Sequence, residues 1–268
     1  MRKFRFEVNA REELGLSLLQ FLKLRTNMSG KAIKRSIDQH GCKVNGFIEK
    51  FSTYRVCHGD KISFEQKEVV GDDCLSLLYC DAYCKAWYKP SFYEVFSCKF
   101  PLHRLDKETS GVILNSRESS FFDLFRQRKI RKVYFAICQG HVCGKRGKIK
   151  EPIEEINVGC DRKVRRISAS GKSAITSWEC LGIKGSLCLI RCFPITGRTH
   201  QIRIHLSSIG LPILGDSLYS KFKRSTVDRT LLHAYEISFM HPILCTYVKI
   251  NASLPKDFLA FFSAKYYA

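Results

Sequence analysis

The chain has 268 residues, 45% hydrophobic and 12% aromatic, enough to pack one large domain or a small one beside a larger one, which sets intrinsic disorder aside. Forty-five Lys and Arg against 25 Asp and Glu leave a formal charge of +20, an excess that opposes compaction and points to a polyanionic partner, most simply nucleic acid. The thirteen cysteines are odd in number, scattered from Cys42 to Cys245 and free of any Cys-x-x-Cys pair; this excludes a disulfide framework and a paired-ligand zinc site, and reads as reduced thiols of a cytoplasmic protein.

Met1 to Val8 alternate charged and apolar residues, the pattern of a strand; a secretory leader needs a continuous apolar core instead. No run is long enough to span a bilayer, so no membrane partner is expected. Leu14, Leu18, Phe21 and Leu22 recur at helical spacing and predict one apolar helix face. Ser29 is a cap for a second helix through His40, with Ile33 and Ile37 inward, Gly41 as its stop and Lys31, Lys34 and Arg35 together on the opposite side. Asn45-Gly46 between apolar residues predicts a hairpin, and His58-Gly59-Asp60 turns into a closing strand, Lys61 to Phe64.

This stretch resembles the S-four (alpha-L) RNA-binding domain, whose helix opening with Ser and Ala, Val-Asn-Gly and late Gly-Asp are matched by Ser29 to Ala32, Val44-Asn45-Gly46 and Gly59-Asp60. Leu16-Ser17-Leu18 stands where that domain has Arg-Leu-Asp. The resemblance implies an RNA-docking module over residues 1–66, with Lys31, Lys34 and Arg35 as contacts. The polar segment 67–75 reads as a linker, and 76–268 as a second domain.

In that second part strands are predicted at Lys132 to Cys138 and Leu187 to Phe193, with helices at Glu118 to Arg126 and Thr199 to Ser208. Strands outnumber helices without strict alternation, which predicts an α+β fold with a mixed, largely antiparallel sheet. Two segments are dense in chemistry. His103 to Thr109 presents one acid, Asp106, in a polar stretch running into the apolar Val112-Ile113-Leu114. Thr196 to Leu206 gathers Arg198, His200, Gln201 and Arg203 near the start of a helix capped by Thr196 or Thr199, a donor-rich end suited to an anion. Phosphate loops, dinucleotide fingerprints and His-Glu-x-x-His are absent, so neither cofactor nor metal is expected.

The segment from His103 to Val112 resembles the active-site motif of the RluA family of RNA pseudouridine synthases. Thr196 to Leu206 resembles the family's third motif, and Gly210 to Tyr219, Leu231-Leu232-His233-Ala234 and His241-Pro242 extend the match. Lys132-Val133-Tyr134 is similar to its Lys-x-Tyr and Lys89-Pro90 to its Lys-Pro; twelve residues, fewer than in relatives, separate Pro90 from His103, and Ser91-Phe92-Tyr93 replaces a Gly-containing turn. The resemblance spans roughly residues 77 to 260 and implies an isomerase that converts uridine to pseudouridine in RNA. It implies Asp106 as the acid, a nucleophile at C1′ or a base that generates a glycal, paired with Arg203, since a guanidinium favours the charged carboxylate. Tyr134 is implied to stack on the flipped base and assist proton removal from C5, and Arg104 to fill the space the base leaves. Arg198, His200 and Lys132 are expected as further RNA contacts, and a monomer as the working form. The reading chosen is a large-subunit ribosomal RNA pseudouridine synthase; the alternatives are a transfer RNA enzyme, a non-catalytic RNA-binding assembly protein and a hydrolase that releases uracil.

Overall fold

The computed structural model describes residues 3–49, 51–66, 75–93, 100–157, 163–221 and 227–267, apart from the side chains of Lys31, Asn157 and Lys163. The chain divides into two compact units, Met1–Gly71 and Asp72–Ala268. The expected linker falls almost wholly outside the described residues, as does much of the Pro90 to His103 connection.

The N-terminal unit carries β1 (Lys3–Glu7), α1 (Leu18–Thr26), α2 (Gly30–Asp38), β2 (Cys42–Val44), β3 (Phe47–Ile48) and β4 (Lys61–Glu65). Its antiparallel sheet runs β1-β4-β2-β3. Leu18, Phe21 and Leu22 of α1 and Ile33 and Ile37 of α2 are fully buried against Val8, Ile62 and Phe64. Asn45 (φ 53°) and Gly46 (φ 84°) make the predicted hairpin turn, and the Asn45 amide fixes it by donating to Asp60 at 2.8 Å. Two local expectations are corrected. Leu14 is not on α1: Gly15 turns the chain at φ 75°, Ser17 caps the helix in a capping box with Gln20, and Leu14 is left exposed. α2 is capped by Ser29 but ends at Asp38, and His40, not Gly41, takes the left-handed position.

The second unit carries β5 (Ser76–Cys80), β6 (Cys84–Lys89), β7 (Ser110–Ser116), α3 (Ser119–Arg126), β8 (Arg131–Gln139), β9 (Arg146–Ile149), β10 (Ile153–Asn157), β11 (Lys163–Ile167), β12 (Thr176–Lys184), β13 (Leu187–Pro194), α4 (Gln201–Ser208), β14 (Leu232–Met240), β15 (Tyr247–Asn251) and α5 (Lys256–Leu259). Nine strands form one sheet in the order β5-β6-β7-β14-β8-β13-β12-β9, with β15 on the far half of β14, while β10 and β11 make a separate ribbon. Every pairing is antiparallel except β7 with β14, so the α+β, largely antiparallel expectation holds. Both faces of the sheet are covered. Val112 and Leu114 of β7 pack in one cluster with Phe121 of α3, and Ile113 in the other with Ile202 and Leu206 of α4. A strand buried on both faces reads as a continuous apolar run, as β7 does. None of the helices among the described residues is long and apolar enough to cross a membrane.

The parallel contact of β7 with β14 places the acidic segment. Gly111, at φ 123°, lies so close to β14 that a Cβ there would sit 2.1 Å from the Ala234 carbonyl oxygen. Beside it Ser110 Oγ meets His233 Nδ1 at 2.9 Å, and Glu108 accepts hydrogen bonds from the Thr230 amide and hydroxyl at 2.7 and 2.6 Å. Gly111→Ala is therefore expected to lose more than about 3 kcal/mol, from a left-handed backbone plus a clash with main chain, read as a lowered urea midpoint. Burial, with Arg229 adding to it, pushes the His233 imidazole down to about 3. Between that value and the ordinary one near 6.5 the unfolded chain binds the extra proton, so stability falls as pH drops through this window, by at most ~1.4 kcal/mol per pH unit for one site. A His233→Gln protein should show a shallower acid-side loss in pH-dependent denaturation.

Candidate active site

Between the segment that enters β7, the start of β8 and the β13–α4 connection lies a cleft of about 950 Å³. Arg104, Lys107, Arg126, Arg128, Lys132, Arg198 and Arg203 line it, and the single carboxylate among the lining residues is Asp106. Such a surface attracts a polyanion and focuses it on one acid.

Asp106 opens a tight turn, its carbonyl accepting the Thr109 amide at 3.0 Å. The turn is held from behind by Lys89, fully buried at the end of β6, whose ammonium donates to the carbonyls of Pro90, Tyr93 and Lys107 at 3.0 Å each. The Asp106 side chain is 23% exposed and opens on the cleft. Its Oδ2 accepts from Arg203 Nη1 at 3.3 Å, and its Oδ1 lies 3.9 Å from His200 Nε2.

Arg203 is itself held. Its Nε and Nη2 donate to Asp216 Oδ2 and Oδ1 at 2.7 and 2.9 Å, a two-pronged pair of the kind that fixes orientation. Asp216, buried, is anchored in turn by the Leu218 and Tyr219 amides. Burial opposes the Arg203 charge, but Asp216, Asp106 and Glu108 outweigh it, and the guanidinium is held well above its ordinary range. Tyr134, on β8, is buried in the cleft wall with no ionised form within reach: burial first, then the Asp106 charge, drives its phenol far up.

The structure thus brings Asp106, Tyr134, Arg203, Arg104, Lys132, Arg198 and His200 to one cleft. Arg104 is exposed at its edge, and Arg198 donates to the Ser173 carbonyl at 3.2 Å. Lys132 is half-buried and its amine is lowered by burial. Lys34 is exposed and Arg35 half-buried on α2 of the other unit, while the Lys31 side chain lies outside what is described. Not every donor of the α4 segment faces an anion. Gln201 ties β12 to the turn before the helix, donating to the Ile175 carbonyl and Thr176 Oγ1 and accepting from Thr196. The cap expectation is corrected as well: His200, in a left-handed conformation, precedes α4 without a side-chain cap bond, because the Thr196 hydroxyl is committed to Gln201. Asp216, Tyr219 and Lys89 are the site residues that sequence reasoning did not single out; all three lie inside quoted motifs, yet nothing in a linear pattern marks the first two as partners of Arg203 and His200 or the third as a clasp on the acidic turn.

Among the described residues one group elsewhere has metal-ligand composition: Asp81, Cys84 and His241, with donor atoms within 4.8 Å of one another. Its hydrogen bonds do not suit a metal. His241 Nδ1 accepts the Ile243 and Leu244 amides, so its proton sits on Nε2, which faces Asp81 at 3.2 Å, and a protonated nitrogen is no ligand.

A cleft that meets a polyanion with seven cations and one well-anchored acid defines the class, an enzyme acting on nucleic acid. Residues 82–208 match the family described as RNA pseudouridylate synthase. The chain is 33% identical over 250 residues to an uncharacterized RNA pseudouridine synthase of Helicobacter pylori strain J99, a match covering 89% of this chain and 97% of the relative. It is 32% identical over 168 residues, 58% of this chain and 53% of the relative, to ribosomal large subunit pseudouridine synthase D of Zymomonas mobilis. Human RNA pseudouridylate synthase domain containing 1 and 4 share the fold, with TM-scores of 0.60 and 0.57 at 23% and 25% identity, over 70% and 69% of this chain and 87% and 90% of theirs. The chain belongs to the RNA pseudouridine synthases, isomerases that convert uridine to pseudouridine.

Replacing Asp216 by Asn keeps its shape but strands a buried guanidinium. The Asp216→Asn protein is expected to lose about 3 kcal/mol of stability, measured by denaturant unfolding, and most of its activity with it.

Proposed function

We propose that this enzyme isomerises specific uridines of large-subunit ribosomal RNA, with Asp106 as the acid that acts at the ribose. The observation that carries the reading is the lone carboxylate of the cleft, open to solvent on one side and tied to Arg203 on the other. The N1–C1′ bond breaks, uracil leaves as an anion without escaping, turns, and rejoins through C5; the C5 proton is lost and N1 gains one. Glycoside hydrolysis needs two carboxylates, an acid and a partner that activates water or attacks. A retained anionic leaving group makes the second dispensable. Attack at C1′ and proton removal to a glycal ask the same of the protein, a charged Asp106 beside a flipped nucleotide.

Tyr134, a neutral phenol, contributes the face of its ring to the base rather than a phenolate. Arg104, exposed at the cleft edge, enters the duplex where the base has left it. The preference for ribosomal RNA is supported by the name of the Zymomonas relative and by the S-four-like order of the N-terminal unit. There Ser29 caps α2, Asn45-Gly46 turns the hairpin and Gly59-Asp60 leads into β4, leaving Lys34 exposed.

The test is incubation of the protein with unmodified ribosomal and transfer RNA, followed by pseudouridine mapping and assay of free uracil. Pseudouridine at a few large-subunit positions and no released uracil are expected; modification of transfer RNA alone would overturn the substrate, and free uracil the reaction. Asp106→Asn should lower the rate about a thousandfold or more. Tyr134→Phe should stay within ~threefold of wild type, whereas Tyr134→Ala should lose roughly five- to 150-fold with the stacking face.

A further inference from the structure

His200 is in the cleft for a reason that phosphate contact does not supply. Its backbone sits at φ 56° and ψ 16°, a left-handed conformation that a residue with a side chain enters only at a cost, and such strain gathers at functional sites. Its Nδ1 is 2.8 Å from the Tyr219 hydroxyl, with the two rings edge to face at 5.5 Å. Burial keeps the Tyr219 phenol protonated, pushed up to about 12. A protonated phenol can donate to His200 Nδ1, and a carboxylate facing Nε2 favours the ring proton on that side. Burial, then Arg203, hold the imidazole below its ordinary range, so the ring is neutral and its one proton lies on Nε2. That nitrogen faces Asp106 Oδ1 at 3.9 Å.

We infer that His200, locked by Tyr219 as the Nε2–H tautomer, is a positioning residue that offers Asp106 a second donor and so fixes the plane of its carboxylate. The inference rests on the reading of Asp106 as the acid. Arg203 holds one oxygen and His200 faces the other. A separation of 3.9 Å is longer than a hydrogen bond, and catalytic hydrogen bonds of ligand-free sites commonly tighten when substrate binds. The groups that face His200 are Asp106 from the segment before β7, Arg203 from α4, Asp216 and Tyr219 from the segment after it, and Arg165 from β11. A phosphate at Nε2 would meet the Asp106 charge, and a neutral ring has no charge to hold it.

The experiment has two arms. The first reads the tautomer without RNA, by nitrogen-15 shifts of labelled histidine rings, assigned with His200→Gln. A protonated Nε2 and an accepting Nδ1 are expected, with the pattern lost in Tyr219→Phe; a protonated Nδ1 in the wild-type protein overturns the inference. The second arm uses an unmodified transcript on which the wild-type protein forms pseudouridine. His200→Ala and Tyr219→Phe, checked for wild-type melting, should lose about tenfold in rate at saturating RNA, with the half-saturating concentration within about twofold. His200→Gln, which keeps an N–H near the Nε2 position, should recover most of that loss. A loss confined to the half-saturating concentration makes His200 an RNA contact and overturns the inference, as do variants with wild-type rates. An Asp106→Asn protein of undiminished activity would instead sink the reading of Asp106, whatever the histidine variants do.

Discussion

Arg203 stands between two carboxylates, and the site depends on how it divides itself between them. A guanidinium this deeply buried is tolerable only with a charged partner, since a buried charge left alone costs several kcal/mol. Asp216 is that partner, taking two of its nitrogens in a buried fork. What reaches Asp106 is the remaining nitrogen, in a single 3.3 Å contact. The acid is therefore aligned by one guanidinium prong only, and its other oxygen lies 3.9 Å from His200 Nε2 on the cleft side. A fork on Asp106 itself would have tied up both oxygens.

The fold supplies this arrangement from three distant stretches of chain. Asp106 lies just before β7, Tyr134 is on β8 and Arg203 on α4, and the sheet brings them together because β14 runs between β7 and β8. Cores on both faces keep that sheet from shifting. Asp106 apart, the charged residues that line the cleft are all basic, a surface that attracts a polyanion.

Much of this was legible in the amino-acid order, and the exceptions share a cause. Asp106, Tyr134 and Arg203 were readable because they sit in dense segments whose order resembles a known family, and the Asn45-Gly46 turn because its backbone needs are local. Leu14 was misread because its helical spacing is broken by one glycine turn, Gly15, that the period does not register. The Thr196 hydroxyl looked like a cap but is drawn to Gln201 by tertiary packing. Asp216 and Tyr219 acquire meaning only once a segment beyond α4 folds back on it, and Lys89, legible in sequence only as half of a Lys-Pro pair, becomes a buried clasp only when its strand ends beneath the acidic turn.

That clasp carries a consequence for how such a site can change over evolutionary time. Three of the acceptors of the Lys89 ammonium are peptide oxygens, which every residue type carries. That part of its grip on the acidic turn does not depend on the side chains of Pro90, Tyr93 and Lys107. With Ser91 and Phe92 after it in place of a glycine turn, the ammonium still holds these main-chain atoms. A change of side chain at these three positions therefore leaves this hold on the acidic turn in place.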